Sequence, residues 1–240
     1  WGKYSEALES FLKAEEIYLK SDCRNCLDCC DLFYEIANFQ RDIMGDELAA
    51  LQYWEKYMSA MKLNGLDKSV DFFITQIQAG FSANESGLPI KALKYYNDAL
   101  ANAEKFKNEQ IWLGLLYLNR GNSLSILRTH SEALESYLVL LKMIEKTPSL
   151  AKEVPHPYNN ISIEYDFLGD QQKREFYLNK AILHAKDFYG KNSDEHMDCL
   201  ANLAAFYADK NDYQKSININ KRLIKILESE GRENIIPYIN

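Results

Sequence analysis

Six stretches of the chain repeat one arrangement of small, bulky and apolar positions. The small column holds Ala7, Ala50, Ala92, Ala133, Arg174 and Ser216. Four residues on comes a bulky column of Phe11, Trp54, Tyr96, Tyr137, Leu178 and Asn220. Three further on stand Ala14, Tyr57, Ala99, Leu140, Ala181 and Leu223. Positions i, i+4 and i+7 share one helical face, so each stretch predicts an amphipathic helix. The small positions are 43, 42, 41, 41 and 42 residues apart, a period of about 42. A preceding helix is marked by Asn38, Gly80, Gly121, Ser162 and Ala204, each twelve residues before the small column. Four of those five are small, which lets two backbones approach. Gly45, Gly87, Gly169 and the pair Asn211-Asp212 are placed to end the first helix of a pair and cap the second. In the fourth unit Arg128 stands in that glycine's place, and the pattern specifies its turn least.

The pattern therefore predicts an all-α chain of antiparallel helix pairs. The units run over approximately 1–20 (a second helix only), 27–63, 68–107, 109–146, 155–189 and 193–229. A further unit is expected to begin at 234–240, where "PYIN" echoes "PYNN" at 157–160. Starting at Trp1 with an unpaired second helix, the sequence reads as a piece of a longer chain. Tyr4, Leu8 and Phe11 would then form an apolar stripe awaiting a partner.

Composition agrees with long helices, since 240 residues include only 10 glycines and 5 prolines. The formal charge of -7 lacks the basic footprint that phosphate backbones require, so nucleic acid is excluded as a partner. No run of 18 apolar residues predicts a membrane insertion, and no signal peptide is visible. The five cysteines are odd in number and clustered, unlike a secreted disulfide framework; a reducing, cytoplasmic setting is expected.

Four of those thiols, Cys23, Cys26, Cys29 and Cys30, fall within "SDCRNCLDCCD". The period offers a control. Cys30 aligns with Phe72, Leu113, Val154 and His196, mostly large apolar residues, which predicts a core thiol. Cys29 aligns with Asp71, Trp112, Glu153 and Glu195, which predicts a place near the surface. A zinc site joins two separated C-x2-C knuckles, and only one cluster exists here. Structural thiols are the reading preferred over an oxidisable or metal-responsive module. His196 and Cys199 share a helix face without an evident third ligand, and "SLAK" at 149–152 lacks any supporting catalytic motif. No catalytic residue, metal ligand or cofactor is assigned.

At "CLANLAAFYADKNDYQKS" (199–216), "WLGLLYLNRGNSL" and "YSEALESFLKA" the chain resembles the tetratricopeptide repeat (TPR) family, in register over six units. The long period is similar to kinesin light chain and to bacterial arrays preceding sensor kinases or CHAT-type peptidases. The resemblance implies a right-handed α-solenoid whose extra residues add about one turn to each helix. It also implies a protein or peptide ligand in a concave groove lined by the first helices. The groove positions map onto Leu32, Glu35 and Phe39, then Ile74, Ile77 and Phe81, then Leu115, Leu118 and Asn122. They continue with His156, Asn159 and Ile163, and with Asp198, Ala201 and Ala205. The same residues would merely touch one another if the superhelix were tight. Positions of the family's carboxylate clamp read Leu118, Asn122, Asn160, Asp198 and Asn202, without a cation, so that mode is excluded. Asn119, Asn160 and Asn202 share a column and are expected to bond backbone. The functional expectation is an interaction scaffold. It would be the sensing or regulatory arm of a larger bacterial signalling protein with flanking domains, or else a standalone cargo-type adaptor. Arg174 and Asn220 break their columns, and looser packing or solvent-turned side chains are expected there.

Overall fold

The computed structural model describes the backbone of residues 2–20 and 27–232, and side chains from 3 to 20 and from 30 to 232. Within these residues lie eleven α-helices and no strand. They are α1 (Gly2–Lys20), α2 (Leu27–Phe39), α3 (Glu47–Leu63), α4 (Val70–Glu85), α5 (Pro89–Leu100) and α6 (Gln110–Ile126). There follow α7 (His130–Lys146), α8 (Tyr158–Phe167), α9 (Gln171–Phe188), α10 (Asp194–Asp209) and α11 (Tyr213–Ser229). Helices α2–α3, α4–α5, α8–α9 and α10–α11 pack as consecutive antiparallel pairs. The expected further unit at 234–240 and the thiols of Cys23, Cys26 and Cys29 lie outside the described residues.

Contacts divide the chain into two compact units. The first comprises residues 1–136 with 152–154, the second 137–151 with 155–240. In the first, α1 packs on α2, α3 on α4, α5 on α6, and the first helices α4 and α6 touch directly. In the second, α9 also packs on α10, around a core of Leu178, Met197, Leu200, Phe206, Ile219, Leu223 and Leu227.

The repeat columns are the core. Ala50, Ala92, Ala133, Trp54, Tyr96, Tyr137, Leu140, Leu178 and Leu223 are all buried. Gly80 shows why the first helix carries a small residue opposite. A Cβ there would lie 2.3 Å from Cε1 of Tyr96, inside van der Waals contact, so only glycine fits without displacing the ring. The column of Cys30, Phe72, Leu113, Val154 and His196 is likewise buried throughout, as the period required of a core thiol.

Turns follow the expected chemistry. Gly45, Gly87 and Gly169 have φ of 67°, 73° and 78°. Asp46, Asp170 and Asp212 then accept from the backbone N–H three residues on, capping α3, α9 and α11. The fourth turn is no exception in shape, since Arg128 takes the left-handed conformation at φ 60°, as Asn211 does. The hydrogen bond from Thr129 N to Leu124 O closes it as Leu88 N to Ala83 O closes the third. Arginine therefore bears a strain that glycine would avoid.

Three expectations need correcting. The residues beyond a shorter repeat do not simply lengthen every helix. Helix α5 has 12 residues and α8 has 10, and 3-10 turns at Ala103–Phe106 and Pro148–Lys152 take up length instead. Pro155 and Pro157 explain the late start of α8, because proline disfavours helix at the residue before it. Arg174 does not turn to solvent. Its side chain is only 13% exposed, bonds Asp166 at 2.7 Å and Asp209 at 3.3 Å, and lies 5.0 Å over the Phe206 ring. Two members of the asparagine column, expected to bond backbone, bond side chains. Asn202 donates to Oδ1 of Asn159 at 2.8 Å, and Asn160 bonds the buried Tyr137 hydroxyl. The apolar stripe of α1 is also partly used, since Phe11 meets Phe39 edge-on at 5.5 Å while Tyr4 stays exposed.

Candidate functional site: two clefts on the first helices

The first helices α2, α4 and α6 reach a cleft of about 480 Å³ in the first unit. Its floor comes from Tyr57 on α3 and from Ile74, Thr75 and Gln78 on α4. Its walls are Tyr34 on α2 and Trp112 on α6. Three carboxylates, Asp31, Glu35 and Asp71, stand around it, and among the described residues no lysine or arginine lines it. Tyr34 is held by edge-on contacts with Trp54 at 5.6 Å and Tyr57 at 5.5 Å, so the aromatic wall is braced from the core. Burial, together with the charges of Asp71 and Asp31, pushes the Tyr57 hydroxyl up to about 12. Asp71 sits in the first turn of α4, where the helix N-terminus favours a negative charge.

A second cleft, about 210 Å³, lies in the second unit between α8, α9 and α10. His156, Tyr158 and Asn159 face His184 and Tyr189, with Glu195, Asp198 and Cys199 on α10. The His156 and His184 rings lie against each other, 3.8 Å between centroids and tilted by 34°. Nδ1 of His156 is buried without a hydrogen-bond partner among the described atoms. Burial, and secondly the neighbouring His184 imidazole, hold His156 down to about 4, so the ring is neutral near pH 7. Burial lowers His184 as well. The Cys199 thiol is pushed up to about 11 by burial and by Asp198 and Glu195, which leaves it protonated and unreactive. No group of three histidine, cysteine or acidic residues among the described ones can hold a metal ion.

The expected groove residues divide into three kinds. Glu35 and Ile74 line the first cleft, and His156, Asn159 and Asp198 the second. Phe81 and Ile163 are open to solvent, at 37% and 40% exposure. Ile77 and Leu118 are buried in helix packing and present little surface, while Leu32, Phe39, Leu115 and Asn122 are half-buried. Sequence reasoning missed Asp31, Tyr34, Tyr57, Asp71 and Trp112 in one cleft, and Tyr158, His184, Tyr189 and Glu195 in the other. A signal existed: Asp71, Trp112 and Glu195 occupy the column aligned with Cys29, one place before the buried column.

Comparison with known proteins agrees with the repeat reading. The tetratricopeptide repeat model matches residues 155–187, which hold α8 and most of α9. Among solved structures the chain is similar to BtubC (BKLC) from P. vanneervenii. Identity is 17% and TM-score 0.71, over 95% of this chain and 91% of that one. It is similar to nearly identical TPR-like repeats assigned to a kinesin light chain of Podosopora anserina. There identity is 14% and TM-score 0.67, over 83% of this chain and 95% of that one. It is also similar to MamA, with 14% identity and TM-score 0.60 over 85% and 95%. No curated protein sequence matches the chain. These likenesses establish an all-α fold of TPR type. No helix among the described residues is long and apolar enough to cross a membrane.

Proposed function

We propose that the chain is a protein-interaction array that holds a peptide or short helix along its first helices. TPR-like repeat proteins generally mediate protein–protein interaction, and this chain has the fold. The observation that carries the reading is the coincidence of expected groove positions with open surface. Glu35, Ile74, His156, Asn159 and Asp198 line clefts, and Phe81 and Ile163 offer exposed apolar anchors on the first helices α4 and α8. Alternating apolar anchors and polar pockets suit recognition of a peptide or an amphipathic helix. Binding, rather than catalysis, is the work proposed for these clefts, because the cysteine is protonated and the histidines are neutral and packed against each other. Two parent architectures were expected from the sequence, a cargo-holding adaptor and the sensing arm of a signalling protein. The likeness to the repeats assigned to a kinesin light chain supports the adaptor.

Photo-cross-linking residues placed singly at Phe81, Ile74 and Ile163 test this against the same residue at Ile90 and Ile217. The latter are exposed positions on the second helices α5 and α11. Partner protein should be captured from the first-helix positions. Equal capture at all five, or capture from Ile90 and Ile217 alone, refutes the reading.

A further inference from the structure

The first cleft has the chemistry of a receptor for one kind of side chain. Asp31, Glu35 and Asp71 bring three negative charges to its rim, and none has an ion-pair partner among the described residues. Two aromatic walls, Tyr34 and Trp112, and an aromatic floor, Tyr57, line the same space. Arg41 reaches Gln78 at the cleft's edge at 3.3 Å, but it is committed elsewhere. It bonds Asp42 at 2.7 Å and lies 5.6 Å from the Trp54 ring centroid.

A carboxylate or phosphate entering such a space meets like charge. An aliphatic side chain would fill the aromatic part and leave the carboxylates without new partners. A cation satisfies both, being attracted by ring faces and by carboxylates together. Between the two natural cations the flat walls discriminate. A guanidinium stacks on an aromatic face while its in-plane N–H groups reach carboxylates at the rim, whereas an ammonium is a compact, strongly hydrated point charge. Charge complementarity at a distance works the same way, because a chain of net charge -7 draws a basic partner towards it.

We propose that the cleft between α2, α4 and α6 binds an arginine side chain of a peptide partner, with Glu35 and Asp71 as carboxylate contacts and Tyr34 and Trp112 as the stacking walls. This rests on the reading of the first helices as a peptide-binding face. It adds the chemical class that this face selects.

The test uses the full 240-residue chain and fluorescein-labelled heptapeptides of alternating alanine and leucine with one central arginine. Matched peptides carry lysine, leucine or citrulline there, citrulline being the neutral shape-mimic of arginine. Fluorescence anisotropy should show the arginine peptide binding about tenfold tighter than the citrulline one, a difference of about 1.4 kcal/mol. The preference should shrink as salt is raised. The double variant Glu35→Gln, Asp71→Asn should erase the preference and leave citrulline-peptide affinity unchanged, which also shows the variant folded. Equal binding of arginine and citrulline peptides overturns the arginine assignment and leaves the peptide-face reading standing. Lysine binding as tightly as arginine overturns the stacking geometry. Absence of binding by all four peptides overturns the assignment and the face reading together.

Discussion

The two compact units are built on the same columns but fill them differently. The first puts aromatic rings inside, with Trp54 and Tyr96 completely buried in the bulky column. The second has Tyr137, Leu178 and Asn220 at those positions; Tyr137 and Phe206 are buried there too, but a row of its rings lies nearer the surface. Tyr158, Tyr165, Tyr177, His184, Phe188 and Tyr189 touch one another along α8 and α9. Its packing is supplemented by polar contacts: Arg174 joins Asp166 to Asp209, and Asn202 joins α10 to α8. The clefts inherit this difference. One is open carboxylate and braced aromatic; the other holds a neutral imidazole pair in tilted contact. A repeat thus conserves where side chains meet, while the chemistry of the meeting is free to vary.

The largest consequence concerns the bulky column. Tyr96→Ala removes a fully buried ring and should cost about 3–5 kcal/mol. Asn220→Ala, at the same column in the second unit but half-exposed, should change stability by less than about 0.5 kcal/mol. Urea unfolding can separate the units, because Trp54 and Trp112 belong to the first and the second contains no tryptophan. Tryptophan fluorescence reports that unit, and far-UV circular dichroism reports both. Equal losses for the two variants would abolish the contrast.

The second unit should be the acid-sensitive one. An unfolded His156 takes up a proton near pH 6.5, the folded one only near 4. Between those values the unfolded state binds more protons, so stability falls as pH drops through 6.5 and the loss is complete near 4. The loss should be about 1–2 kcal/mol, allowing for partial exposure of the ring. Between pH 7 and 5, where carboxylates with ordinary values stay ionised, His156→Gln should flatten the slope of the circular dichroism transition. A slope unchanged in that variant would move the acid sensitivity elsewhere.

The smallest difference lies in two turns of identical shape. Arg128→Gly relieves a left-handed arginine in the first unit and should stabilise it by about 1 kcal/mol. Asn211→Gly in the second should gain only a few tenths, since asparagine tolerates that conformation. Thermal melts of both variants measure the difference, and a destabilising Arg128→Gly would contradict the strain.

The period made the core legible before any coordinates. It placed Cys30 inside through its counterparts Phe72, Leu113 and Val154, and it placed the glycine turns and aspartate caps. It did not make Arg128 legible, because the turn's shape is imposed by the helices on either side rather than by the residue's own preference. Nor did it foresee Arg174 staying among the helices, since its partners Asp166 and Asp209 come from different units of the repeat. The clefts were half visible. A groove inferred from one face of the first helices captures Glu35, Ile74, His156 and Asp198. Their walls come from elsewhere: Tyr57 from a second helix, Trp112 from the next first helix, Asp71 from the opening turn of α4. Spacing along a single helix cannot report side chains that three helices bring together.

The close approach of Tyr96 to Gly80 bears on how such an array can be rearranged by recombination. Unless it brought in Gly121, a crossover between α4 and α5 would set the Tyr96 ring opposite Asn38, Ser162 or Ala204, each with a Cβ where the glycine has none. A crossover in the connection Asn64–Ser69, between α3 and α4, keeps ring and glycine on the same inherited segment. Breakpoints tolerated in this chain should therefore fall between helix pairs and be depleted at the tight turn around Gly87. The helix pair, not the single helix, is the heritable module.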